Sequence, residues 1–159
     1  MKTLLVHYSN RSIVRAMCEA SNAPDVDVLQ LQPRYKKRPV LDDVADCYRA
    51  LAGKGARLLL PEFLLEEYES IVLVTSLRAF APSPEINEFL FRCDLGGRDV
   101  NCIVCNRIRS FGRAGSALRK RVRLAGGVCR SITYVSEADL ALKSTASIIA
   151  LQETAAEVA

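Results

Sequence analysis

Three polar loops in this chain lie where a ligand could bind. They are Ser9 to Ser12, Ser76 to Ser83 and Asn106 to Gly112, and each follows a run of apolar residues. In open α/β sheets, ligands bind beyond the carboxyl ends of the strands, where the strand order reverses. We therefore expect a binding site to be formed by these three loops.

The sulfur and imidazole groups of the chain form no recognisable catalytic motif. Cys102 and Cys105 have the C-x-x-C spacing, but they fall in a predicted strand, where residues three apart point to opposite faces. The chain has a single histidine, His7, and no second C-x-x-C, which argues against a zinc site. No Ser-His-Asp order, paired carboxylate motif or Walker loop is present. The six cysteines are interpreted as buried, small hydrophobic side chains.

Length and composition predict one globular domain. The chain has 159 residues, of which half are hydrophobic and a quarter are charged, and we expect residues 1–159 to fold as a single unit. No apolar run approaches the roughly 20 residues of a membrane helix, and the N-terminus lacks the apolar core of a secretory signal. The expected location is the cytoplasm, with no membrane partner.

The net charge of +4 is unevenly distributed. Between Asp99 and Glu137 there is no acidic residue, so one side of the molecule should be positive and attract anionic partners. The basic residues of this stretch are Arg107, Arg109, Arg113, Arg119, Lys120, Arg121, Arg123 and Arg130.

Strands and helices are predicted to alternate along the whole chain. The five predicted strands are Lys2 to Tyr8, Val26 to Leu31 near a sheet edge, Ser70 to Thr75, Asp99 to Asn106, and Val128 to Val135. The stretch from Ala56 to Leu65 contains Pro61, which disfavours a central strand, and is predicted to be irregular or a short helical lead-in.

Five helices are predicted between and after these strands. The first is capped by Ser12, and the last runs from about Glu137 to Ala156. The second carries Leu41, Val44, Ala45, Tyr48 and Leu51 on one face. The third is capped by Ser83, with Pro84 at its first position and Ile86, Phe89, Leu90 and Cys93 on its inner face. The fourth runs from about Arg113 to Leu124, with Ala114, Ala117, Leu118 and Val122 inward.

Five strands alternating with five helices predict right-handed βαβ units and a parallel sheet covered by helices on both faces. The order of features resembles the flavodoxin family. The segments that carry the resemblance are Lys2 to Ser9 (KTLLVHYS), Tyr68 to Ser76 (YESIVLVTS), Arg78 to Pro84 (RAFAPSP) and Asp94 to Val100 (DLGGRDV). The resemblance implies a flavodoxin-like three-layer α/β sandwich, a five-stranded parallel sheet of order 2-1-3-4-5, and flavin mononucleotide (FMN) at the switch point.

The resemblance also assigns a phosphate loop, which departs from the family pattern Ser/Thr-x-Thr-Gly-x-Thr. The matching residues are Ser9, Asn10, Arg11, Ser12, Ile13 and Val14. Ser12 replaces the glycine and Val14 replaces the last hydroxyl. Two interpretations stay open. In the first, the loop still binds phosphate through Ser9, Asn10, Ser12 and backbone amides, and Arg11 or Arg15 adds positive charge. In the second, the site is lost and Ser12 only caps a helix.

Two further loops would surround the flavin ring. The resemblance assigns Ser76, Leu77, Arg78, Ala79 and Phe80 to the first, and Asn106, Arg107 and Phe111 to the second. The chain has no tryptophan for the ring, so Phe80 and Phe111 are the candidate stacking residues, or else they anchor their loops. Positive charge from Arg78, Arg107 and Arg109 would favour the anionic reduced flavin, which disfavours a very low-potential electron carrier.

Three functions follow from these features. The first is FMN-dependent electron transfer or reduction, with a redox partner protein or a small substrate. The second is a module that has lost flavin binding and binds a protein or polyanion through its basic flank, Arg107 to Arg123. Nucleic acid is the weaker form of this second hypothesis, because few aromatics interleave with the basic residues. A nicotinamide nucleotide ranks last, since no G-x-G-x-x-G follows the first strand.

Overall fold

A computed structural model describes residues 2–8, 24–34, 40–61, 63–108 and 110–136. The strands are β1 (Thr3–His7), β2 (Val26–Gln30), β3 (Gln32–Pro33), β4 (Leu58–Leu59), β5 (Ser70–Arg78), β6 (Ala81–Pro82), β7 (Asp99–Asn106) and β8 (Val128–Ser136). The helices, numbered among the described residues, are α1 (Leu41–Leu51), α2 (Pro84–Arg92) and α3 (Ala114–Leu124), with a 3₁₀ turn at Leu65–Glu67.

The main sheet has the predicted strand order. Its path is β2-β1-β5-β7-β8, every neighbouring pair on that path is parallel, and β6 adds a short antiparallel pairing to β5. Numbered by the five predicted strands, this is order 2-1-3-4-5. The strand order reverses beside β1 and β5, so the carboxyl ends of these strands are where a ligand site is expected.

Alternation along the strands divides the core into two layers. On one face, Leu4 and Val6 of β1 pack in a cluster with Phe89 of α2 and Leu118 of α3. On the opposite face, a smaller cluster contains Leu5, Val74, Ile103, Cys105 and Val135. This side-chain period of two explains why the central strands read as continuous apolar runs.

The predicted first and last helices and the phosphate loop lie outside the described residues. Among the described elements, β7 has the predicted bounds, and Ser83 caps α2 with Pro84 at its start. No helix in the described part of the chain is long and apolar enough to span a membrane.

Two local expectations differ from the structure. The segment Ala56 to Leu65 contains β4, which pairs antiparallel with β3 outside the main sheet, and this pairing was not predicted. The third strand continues to Arg78, three residues beyond the predicted end at Thr75. Both differences arise from strand pairing, of β4 with β3 and of Leu77 and Arg78 with the short strand β6, which single-residue propensity does not encode.

The apolar stripe of helix α1 does not face the core. Leu41, Val44, Tyr48 and Leu51 are all more than 60% exposed, while Asp46 and Ala50 are the buried residues. The small Ala50 side chain allows α1 to pack closely, and the Asp46 carboxylate accepts a hydrogen bond from Arg49. Periodicity thus identified the helix and its stripe, but not the face that is buried.

Candidate functional site

A tight hairpin closes the carboxyl end of the central strand β5. Leu77 pairs with Pro82 and Arg78 with Ala81, so the turn consists of Ala79 and Phe80. Both turn residues have positive φ, 48° and 61°, which is the pattern of a type I′ turn. Asn and Gly normally occupy such positions, because a side chain in this region costs about 1–2 kcal/mol. The hairpin therefore holds a strained backbone at the predicted ligand edge.

The hairpin presents an aromatic side chain to solvent and contacts the next loop. Phe80 is 52% exposed. A Cβ placed on Gly112 would lie 3.2 Å from the Phe80 Cβ, and Gly112 itself has φ of 51°. The close approach requires glycine at this position. The structure thus brings together the loops after β5 and β7, as the sequence predicted.

The hairpin is connected to helix α2 by buried hydroxyl groups. The backbone N–H of Ser83 donates to Thr75 Oγ1 at 3.2 Å, and that hydroxyl donates to the carbonyl of Ser76 at 3.2 Å. The Ser83 hydroxyl accepts from the Ile86 N–H at 3.5 Å as the helix cap. Sequence reasoning missed Thr75, because a hydroxyl inside a β-branched run looks like an ordinary strand residue.

Of the predicted residues in this hairpin, Ser76 and Leu77 are buried within β5, and Leu77 belongs to the hydrophobic core. Arg78 lies at the strand end and pairs with Asp43 of helix α1, with 3.2 Å between Nη1 and Oδ1. The Arg78 charge is therefore partly neutralised, so the site is less positive than the sequence predicted. Asp43 was missed because its partner is distant along the chain.

The loop after β7 is held by side chain to backbone hydrogen bonds. The Asn106 amide donates to the carbonyl of Ser110, and its oxygen accepts from the Arg107 N–H at 2.9 Å. Phe111 packs on Tyr134 of β8, with 4.8 Å between ring centroids. Phe111 thus contacts a strand residue of the domain, whereas Phe80 is the more exposed of the two candidate aromatics.

His7 is the buried last residue of β1, and the buried Tyr8 follows it immediately before the predicted phosphate loop. His7 is only 6% exposed, and its Nδ1 has no hydrogen-bond partner within the described residues. Burial lowers the pKa of His7 below its ordinary value, so the imidazole is neutral at pH 7. Ser9, Asn10, Arg11 and Ser12 lie outside the described residues.

The two cysteines of the C-x-x-C spacing are separated by the sheet, as the strand geometry predicts. Cys102 belongs to the helix-covered core and Cys105 to the opposite cluster. Across the described ranges, no three His, Cys, Asp or Glu side chains are grouped in a way that could hold a metal ion.

Comparison with solved structures identifies the fold. A flavoprotein from Lactobacillus acidophilus in complex with FMN superimposes with a TM-score of 0.71 at 14% identity, covering 84% of this chain and 92% of that one. A protein from Bacteroides eggerthii that is assigned as a flavoprotein gives 0.73 at 14% identity, covering 98% of each chain. The Trp repressor binding protein of Bacillus subtilis gives 0.55 at 10% identity, covering 85% and 86%.

No family model matches the sequence, and no curated protein matches it. At these identities the similarity establishes architecture. The chain has the flavodoxin-like fold, and the resemblance drawn from the sequence is confirmed at that level.

Proposed function

We propose that this protein binds FMN at the carboxyl ends of β1, β5 and β7 and uses it for electron transfer or flavin-dependent reduction. The reaction partner would be a redox protein or a small substrate. The observation that carries the proposal is the hairpin at Ala79 and Phe80. It holds an exposed aromatic ring on a strained turn at the switch point of a flavodoxin-like sheet.

The described residues fit the ring end of the cofactor. Phe80 offers an aromatic face, and Gly112 permits the close contact between the two loops that would flank the ring. Strain in a turn persists where the surrounding structure holds it, and such turns cluster at ligand sites. Ser9, Asn10, Arg11 and Ser12 are the residues proposed to hold the phosphate.

When bound, FMN would supply hydride or one-electron chemistry, and the protein would bind and orient it. Phe80 would stack on the ring and exclude water from one side. Arg78 and Asp43, paired at 3.2 Å, would leave the hairpin near neutral rather than strongly cationic. The second loop would be held in position by Asn106 and by Phe111 on Tyr134.

An absorbance spectrum and an FMN titration test the proposal. We expect yellow protein, or colourless protein that takes up FMN. Phe80→Ala should weaken FMN binding by about two- to tenfold, because stacking contributes about 0.5–1.5 kcal/mol. Phe91→Ala is the matched control, since Phe91 is also exposed, at 61%, but lies on helix α2.

Colourless protein that takes up no FMN would overturn the proposed function. Equal FMN affinities for Phe80→Ala and Phe91→Ala would instead show that Phe80 does not contact the flavin ring. The proposal that the protein binds FMN would not be affected by that result.

A second candidate function is polyanion binding through the basic flank. Three exposed cations of helix α3, Arg119, Lys120 and Arg123, have no carboxylate partner among the described residues, whereas Arg121 is half-buried and bonded to Asn87. Fewer cations of the basic flank are thus available to a polyanion than the sequence predicted. Heparin binding that falls steeply with salt, and falls further in Arg119→Gln/Arg123→Gln, would support this function. Salt-independent or absent binding would exclude it.

A further inference from the structure

A cleft at the edge of the sheet contains an unassigned thiol. It lies between helix α3 and strand β8 and has a volume of about 770 Å³, within the range of small-molecule sites. Its lining includes Arg119, Lys120 and Arg123 from the helix, and Cys129 and Arg130 from the strand. The flavin site proposed above uses none of these residues.

The charge of this cleft is positive. Arg130 pairs with Asp99 at 2.8 Å, but the other three cations have no acidic partner in the described part of the chain. Among the described residues, no carboxylate side chain lines the cleft. Cations focused in a concave surface attract anionic ligands and raise their local concentration.

Cys129 is half-buried in this cleft and lies beside a second thiol. Cys102 is fully buried on the neighbouring strand β7. The Cys129 thiol itself donates to the carbonyl of Ser131 at 3.8 Å. The neighbouring Cys102 thiol and the Arg119 charge favour the thiolate and outweigh the effect of burial, so the pKa of Cys129 is lowered to about 7. The same neighbour and burial raise the pKa of Cys102, which stays protonated.

We infer that Cys129 is a nucleophilic thiolate that undergoes thiol–disulfide exchange with small anionic disulfides, such as glutathione disulfide, bound in this cleft. The Cys129 sulfur attacks one sulfur of the ligand, a new S–S bond forms, and the original S–S bond breaks. One half of the ligand leaves as a thiolate and the other half remains on Cys129. The ligand is the oxidant, so no further reagent is needed.

The strand register predicts that the mixed disulfide persists. Cys129 is paired with Val100, and Cys102 is paired with Ile132. Two residues of strand rise and one strand spacing separate the two cysteines, which places their Cα atoms roughly 8 Å apart. A disulfide needs a Cα–Cα distance of less than about 7 Å, so we expect Cys102 and Cys129 not to close an internal disulfide.

Ellman's reagent, an aromatic disulfide with two carboxylates, tests this site on the reduced full-length chain. We expect one equivalent of thionitrobenzoate in a fast phase whose rate rises with pH around a midpoint near 7. The fast phase should disappear in Cys129→Ser and remain in Cys93→Ser. Cys93 is the matched control, because burial raises its pKa to about 11.

The role of the cations is tested with an uncharged disulfide, bis(2-hydroxyethyl) disulfide. Arg119→Gln/Arg123→Gln should slow the reaction of Cys129 with Ellman's reagent about tenfold and the reaction with the uncharged disulfide much less. Arg92→Gln, on helix α2 and paired with Glu88, is the charge control and should change neither rate. Incubation with glutathione disulfide should add one glutathionyl group by intact mass, at Cys129.

Three results would overturn the inference. They are a fast phase that survives in Cys129→Ser, equal slowing of both disulfides in the double arginine variant, and release of two equivalents in the fast phase, which would indicate an internal disulfide. All measurements are made without flavin, so their outcome is independent of FMN binding.

Discussion

At the scale of single residues, the environment of a side chain decides its chemistry more than its type does. Cys93 and Cys129 are both partly buried thiols, yet burial raises the pKa of the first and a second thiol with a nearby arginine lowers that of the second. His7 is similar, because burial at the end of β1 keeps it neutral. None of these environments can be read from local sequence.

His7 should make stability depend on pH below neutrality. Its native pKa is lowered, so the unfolded state binds more protons, and stability is lost as pH falls from about 6.5 toward the native pKa. The loss approaches about 1.4 kcal/mol per pH unit within that window. His7→Gln removes the titration, so urea unfolding at pH 7.5 and pH 5.5 should show a smaller loss for the variant. Equal losses in the two proteins would contradict this role of His7.

At the scale of elements, the hairpin after β5 shows how pairing overrides local preference. Ala79 and Phe80 have no propensity for positive φ, and no turn signal of the Asn-Gly type is present. The sequence predicted a loop over Ser76 to Ser83, and its extended part up to Arg78 was missed. Antiparallel pairing of Leu77 with Pro82 closes the turn, and the residue types of the turn give no signal of this pairing.

Ala79→Gly should stabilise the protein by about 1 kcal/mol, because glycine adopts φ of 48° without a Cβ clash. Ala45→Gly, in the middle of helix α1, is the matched control and should destabilise by about 0.5–1 kcal/mol. Urea unfolding measures both changes. A loss of stability in Ala79→Gly as large as that of the control would show that the turn is not strained.

Asn87 connects three segments at the packing of helices α2 and α3. Its buried amide donates to the carbonyl of Lys54 at 3.2 Å, and its oxygen accepts a hydrogen bond from the half-buried Arg121. Asn87→Ala leaves both partners unsatisfied and should cost about 2–3 kcal/mol of unfolding free energy. In a double-mutant cycle, Arg121→Met should recover part of that cost, since the orphaned guanidinium is removed. Strictly additive losses would argue against the network.

At the scale of the whole molecule, ligand binding and stability are linked. If FMN binds the native state alone, a concentration 100 times its dissociation constant should add about 2.7 kcal/mol to the unfolding free energy. For a chain of this size, that corresponds to an increase in Tm of roughly 5–10 °C. Thermal unfolding with FMN and with riboflavin, which lacks the phosphate, distinguishes the contribution of the phosphate to binding from that of the ring. An equal shift by both would show that the loop at Ser9 to Ser12 does not contribute, and no shift with FMN would count against binding.

Alternating apolar runs and capping residues predicted, without tertiary information, the α/β class and a parallel sheet, because these follow from short-range periodicity and from the handedness of βαβ units. The strand order was implied by the resemblance to the flavodoxin family, and the structure confirms it. Only the tertiary structure decided which face of helix α1 is buried, that Arg78 pairs with Asp43, and that Cys102 lies beside Cys129. Each depends on contacts between residues distant in sequence, whose register is set by packing of the complete sheet.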